Sequence, residues 1–205
     1  MALITVSNNS LTAVTALPAS VPTGALTLIK SITASSSASI SFVDGASGVV
    51  LDDTYKSYVF KFINIHPATD EVKFTVGFRD GGTAYDATKT TTSFVAYHNE
   101  ADDNTNLQYR TDRDLAQSTD FQILGVEIGN ANDENLAGEL TIFSPSSTVF
   151  VKHFIATTQL TAYHDFCQEA FTAGYCNVTA VIDGVQFKMT SGNIDSGIIK
   201  LYGVK

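Results

Sequence analysis

Four histidines, two cysteines and a crowd of carboxylates are the residues of this 205-residue chain whose types could do chemistry. His164, Asp165 and Cys167 stand close enough in sequence to suggest a zinc site, or a thiol nucleophile beside its base. Zinc sites show paired ligands at short, repeated spacing. Neither His66, His98, His153 nor Cys176 supplies the second pair. No local signature marks either cysteine as a nucleophile, so Cys167 and Cys176 are expected as reduced, small apolar packing groups. The Gly-x-Ser-x-Gly elbow, the phosphate-cradling loop and the His-Glu-x-x-His run are absent from the sequence. Glycosidase carboxylates are recognised by their separation in space, which the sequence leaves open.

Two oxygen-rich stretches, Asp102-Asp103-Asn104 and Asn132-Asp133-Glu134-Asn135, make Asp102, Asp103, Asp133 and Glu134 the calcium candidates. Neither follows the spaced EF-hand pattern, and the plainer reading is a solvated acidic rim. Sugar binding by a β-protein needs ring faces. Trp is absent, which leaves Tyr85, Tyr97 and Tyr109, around the Asp80-Gly81-Gly82 turn and the acidic segment, as glycan candidates. Asn177-Val178-Thr179 matches a glycosylation sequon and reads as an accident at the start of a strand. No cofactor is expected.

Charge narrows the classes further. The net charge is −9, with only 12 Lys and Arg, against the concentrated basic field that phosphate binding requires, so a nucleic-acid partner is not expected. Residues 100–139 hold ten acids against Arg110 and Arg113, a local −8, whereas residues 1–43 contain a single charge, Lys30. Such a charge-free stretch hints at burial against a partner. No apolar run approaches the 18 or more residues of a helical membrane span, and membrane insertion is not expected. The sequence Ala16-Leu17-Pro18-Ala19-Ser20 looks like a cleavage site but has no basic segment before it, so a signal peptide is not expected either.

The elements that must position these residues are strands. Only 16% of residues are charged, while Ser and Thr account for 43 of 205, a profile that suits a polar, weakly charged β surface. After the Pro/Thr/Gly punctuation of residues 18–24, periodicity of two predicts strands over 25–33, 38–43, 49–51, 58–63 and 71–80. Others follow near 94–97, 107–111, 121–128, 139–143 and 149–157. His66-Pro67 is expected to end its strand, and the change of apolar phase at Gly125 suggests a bulge. A hairpin turning at Asp183-Gly184 is expected within 178–189, and a last strand over 198–202. Residues 162–173 are the best helical candidate, a short helix or irregular loop stopped by Gly174. The whole predicts an all-β protein, an antiparallel two-sheet β-sandwich of jelly-roll type over residues 25–205, with an extended N-terminal arm over 1–24.

Two blocks carry a resemblance. One is Asp52-Asp53-Thr54-Tyr55-Lys56-Ser57-Tyr58-Val59-Phe60-Lys61-Phe62-Ile63-Asn64-Ile65-His66-Pro67-Ala68-Thr69-Asp70, followed by Arg79-Asp80-Gly81-Gly82 and Tyr85. The other is Phe187-Lys188-Met189-Thr190-Ser191-Gly192-Asn193-Ile194-Asp195-Ser196-Gly197-Ile198-Ile199-Lys200-Leu201-Tyr202-Gly203, in which Gly192 and Gly197 are expected to bracket a turn. This layout resembles small virion structural proteins of tailed bacteriophages, particularly of marine phages, described as tail-fibre or appendage proteins. The resemblance implies a non-enzymatic virion component and no catalytic residues. Its expected partners are further copies of itself, with a trimer favoured, other virion proteins through residues 1–24, and a host surface glycan. A capsid decoration or cement protein and a free lectin-like module are the alternatives.

Overall fold

A computed structural model describes residues 25–205; the N-terminal arm expected over 1–24 lies outside the described residues. Twelve antiparallel strands and no helix make up the described residues. In chain order they are β1 (Leu26–Thr33), β2 (Ile40–Val43), β3 (Ser57–Pro67), β4 (Val72–Arg79), β5 (Lys89–Asn99), β6 (Thr105–Tyr109), β7 (Gln122–Ile128), β8 (Leu136–Phe143), β9 (Lys152–Ala162), β10 (Phe166–Cys176), β11 (Gly184–Met189) and β12 (Ile194–Val204).

Eight strands form one broad layer, in the order β1-β12-β3-β8-β9-β10-β5-β6. Four more, β7-β4-β11-β2, form a smaller one. The single pair Ile128↔Ala162 joins β7 to β9, so the ladder runs on as one nearly closed, barrel-like sheet. The strands curl because their inner faces share one core. Phe60 and Phe62 of β3 reach across to Phe42 of β2, Phe74 of β4 and Phe187 of β11. Phe187 is the hub, with four ring centroids within 5.1–6.4 Å. Each such pair adds about 0.5–1.5 kcal/mol beyond the area it buries.

Several expectations are corrected. Residues 162–173 form no helix: they are the end of β9, a turn and most of β10. Gln168, Ala170 and Thr172 alternate inward there against outward Cys167, Glu169 and Phe171. That is a period of two, disguised by polar residues at the inner positions. Residues 178–189 make no hairpin; only β11 is a strand, because its two edges are taken by β2 and β4, and the Asp183 carboxylate accepts from Arg79 Nε at 2.8 Å. Val49 and Leu51 are buried without belonging to a strand. Gly192 sits in the turn between β11 and β12 as expected, but Gly197 lies inside β12 at a bulge, with φ +121°. The bulge expected at Gly125 is present, since the β4–β7 register slips on both sides of it.

Candidate functional site

Strand alternation decides where each chemically able residue goes. Tyr97 and Phe94 are three apart on β5 and so point to opposite faces. Tyr97 turns inward, opposite Asn106, and packs edge-on against Phe166 with centroids 5.6 Å apart. Tyr109 lies opposite Phe94 on the outer face, where its hydroxyl donates to Asp114 Oδ2 at 2.6 Å. Tyr85 lines a different groove with Phe121 and Lys188. The three tyrosines therefore form no common platform.

Around Tyr97 the inner face opens into a cavity of about 240 Å³ at the edge of the β5-β6-β10 wing. Gln108, Arg110, Glu127, His164 and Phe166 share its walls. The Arg110 guanidinium is held by both oxygens of Asp112 at 2.8 Å, and that bond keeps the Asp112 carboxyl down at about 2. Glu127 holds a left-handed backbone, φ +58°, at the β7 end of this cavity. Below it, residues 110–120 fold over the wing and bury a polar network. Arg113 donates to Gln168 Oε1 at 2.8 Å, Gln122 donates to the Arg113 carbonyl, and the Thr91 hydroxyl donates to Gln122 Oε1. Burial, reinforced by the charge of Arg110, lowers the Arg113 guanidinium to about 10. These amides, rings and charges can grip a polar ligand; no nucleophile with an adjacent base is among them.

The other candidates scatter. Cys167 faces outward, where its sulfur accepts from Gln159 Nε2 at 3.6 Å, while His164 belongs to the inner cavity. His164, in the β9–β10 turn, and Cys167, on the outer face of β10, therefore sit on opposite sides of the sheet. Asp102 pairs with His98 at 3.0 Å, Asp103 accepts from Asn99 Nδ2, and Glu134 folds back onto the Ala131 amide. Among the described residues no group of three or more His, Cys, Asp or Glu is placed to hold a metal ion. Three of the four calcium candidates, Asp102, Asp103 and Glu134, are thus taken up by hydrogen bonds within their own loops.

Two features escaped the sequence reading. Cys176 sits between Lys89 on β5 and Lys152 on β9 in one row, and all three side chains are fully buried. The ammonium groups reach only carbonyls: Lys89 reaches those of Ala87 and Thr119, Lys152 that of Val178. Burial lowers the pKa of both lysines and raises the Cys176 thiol to about 12. The signal was available, since Lys152 is in phase with the buried Phe154, Ala156 and Leu160.

The second is the outer face of the broad layer. Two rows of directly opposed residues cross it near the start of β1. One is Leu26, Val204, Ser57 and Phe143; the other is Leu28, Tyr202, Val59, Thr141, Ile155, Ala173 and Thr92. Neither contains a charge. All nine exposed large hydrophobic residues of the described chain lie on this face or on the 144–151 loop at its rim, with Phe150 at 73%, Val149 at 69%, Ile155 at 54% and Leu28 at 53% exposure. Phe94 and Tyr109 share their outer row with Lys61 and Glu139, so the uncharged part of the face is the two rows from Leu26 and Leu28; exposed apolar side chains gathered on one face in this way mark an interaction site. No family model, curated protein or solved structure matches this chain. Among the described residues no helix is long and apolar enough to cross a membrane.

Proposed function

We propose that the chain is a non-enzymatic structural component of a bacteriophage virion, a tail-fibre or tail-appendage subunit assembled in symmetric copies, with a capsid decoration or cement protein as the alternative position. The observation that carries the assembly part is that, among the described residues, every exposed large hydrophobic side chain lies on the outer face of the broad layer or on the 144–151 loop at its rim. A free monomer gains nothing from such a face, whereas repeated copies bury it. The phage assignment draws on the resemblance of residues 52–70 and 187–203. We read the nearly closed sheet as the jelly-roll-like sandwich of that reading, with other virion proteins as neighbours and assembly in the host cytoplasm. Antibody raised against the full chain and imaged on purified particles tests it. Label on the tail supports an appendage, label over the shell supports decoration, and unlabelled particles overturn the proposal.

A second reading, a carbohydrate-binding module, is supported by the cavity that joins Tyr97 and Phe166 to Gln108 and Arg110. Binding on a glycan array that disappears in Tyr97→Ala would favour it, and an array that stays silent for the native chain would remove it.

A further inference from the structure

We propose that residues 1–24 of one copy lie across the outer face of a second copy, covering the two charge-free rows that start at Leu26 and Leu28. This rests on the assembly reading above and names what occupies its interface.

The chain supplies the occupant from its own end. Residues 1–24 contain no Asp, Glu, Lys, Arg or His, and they carry Leu3, Ile4, Val6, Leu11, Val14 and Leu17 among Thr, Ser and Ala. An uncharged, β-prone segment matches a face whose rows hold Leu, Val, Ile, Tyr and Thr, because neither partner must strip water from a charge. The boundary fits as well. The next row across the layer contains Lys200, Lys61 and Glu139, so the uncharged surface stops there.

The length of the segment is enough to cover the face. Residues 1–17, extended at about 3.3 Å each, reach about 55 Å, and the seven strands of the longer row span about 29 Å at about 4.8 Å per spacing. Residues 18–24 remain as a spacer. Pro18 and Pro22 cannot donate to a ladder and hold the residues before them extended. The choice of a second copy follows from the assembly reading, in which this face is buried between molecules.

The test uses the full chain with a photoreactive benzoylphenylalanine in place of Leu11, irradiated and run on a denaturing gel. A covalent dimer is expected, with the cross-link mapping to the peptide that contains Ile155. Ile155→Glu in the same chain should cut its yield at least tenfold, and Leu28→Glu serves equally should Ile155→Glu fail to fold. An internally linked monomer, a dimer joined elsewhere, or no product overturns the proposal. A chain that cross-links as expected but is missing from particles leaves this inference standing and removes the virion reading; a chain found in particles whose link is internal does the reverse.

Discussion

Leu28 lies directly opposite Tyr202 across the β1–β12 ladder, and from that pair an uncharged row runs through Val59, Thr141 and Ile155 to Thr92. The relationship matters because β1 is both an edge strand and the strand that receives the uncharged N-terminal segment. The uncharged rows begin on the strand that the charge-free part of the sequence directly precedes.

The core should answer to its hub. Phe187 touches Phe42, Phe60, Phe62 and Phe74, which come from three other strands on both layers. Phe187→Ala removes a ring that nothing nearby can replace, and a loss of about 3–5 kcal/mol is expected from denaturant midpoints. A loss below about 1 kcal/mol would mean that the layers are not held together through this ring.

The two thiols should behave as different species. Cys167 is exposed and Cys176 is fully buried, so the native chain is expected to react with one equivalent of a thiol reagent and the unfolded chain with two. Two fast-reacting thiols in the native chain would contradict the buried row.

The same row gives a pH dependence. With its thiol raised to about 12, Cys176 keeps its proton in the fold while an unfolded cysteine gives its proton up above about pH 8.5. The unfolded state then binds fewer protons, so this group's contribution to stability falls as pH rises through that window, by up to about 1.4 kcal/mol per unit. Lys89 and Lys152, whose pKa values are lowered, act in the opposite sense below about pH 10.4, where the unfolded chain binds more protons. Comparison with Cys176→Ala isolates the thiol: the stability of the native chain relative to this variant should decline between neutral pH and pH 10.5.

At the β12 bulge, a Cβ on Gly197 would meet the Asn64 carbonyl oxygen at 2.6 Å and Ile65 Cα at 2.9 Å, and φ is +121° there. Gly197→Ala is expected to cost about 1–3 kcal/mol, read as a lower thermal midpoint. Gly45→Ala makes a useful comparison, because φ is also positive there but the added Cβ meets nothing.

Where one face of a strand is apolar and the other wet, the sequence announces the strand: β4, with Val72, Phe74, Val76 and Phe78 alternating, is legible at once. β10 is not, because its inner positions are Gln168, Ala170 and Thr172, made tolerable by a loop that arrives from 55 residues away with Arg113. Lys89 and Lys152 hide for a related reason: their inward phase is visible, but the carbonyls that accept their hydrogen bonds belong to neighbouring loops. The tyrosine candidates share no platform: parity sends Tyr97 of β5 inward while Tyr109 pairs with Phe94 outside, and Tyr85 lies on the loop before β5 in another groove. The outer face was legible only in part. The missing charges of residues 1–43 hinted at a partner, yet the rows that join Leu28 to Ile155 exist only once seven strands are in register.

Sedimentation of the full chain beside its Ile155→Glu variant tests the central claim most directly. Ile155 is exposed in the single copy, so the substitution should leave the fold within about 0.5 kcal/mol of native. The account predicts a discrete oligomer for the native chain and a folded monomer for the variant. A native chain that sediments as a monomer at micromolar concentration, or a variant that keeps the native oligomer, would contradict it.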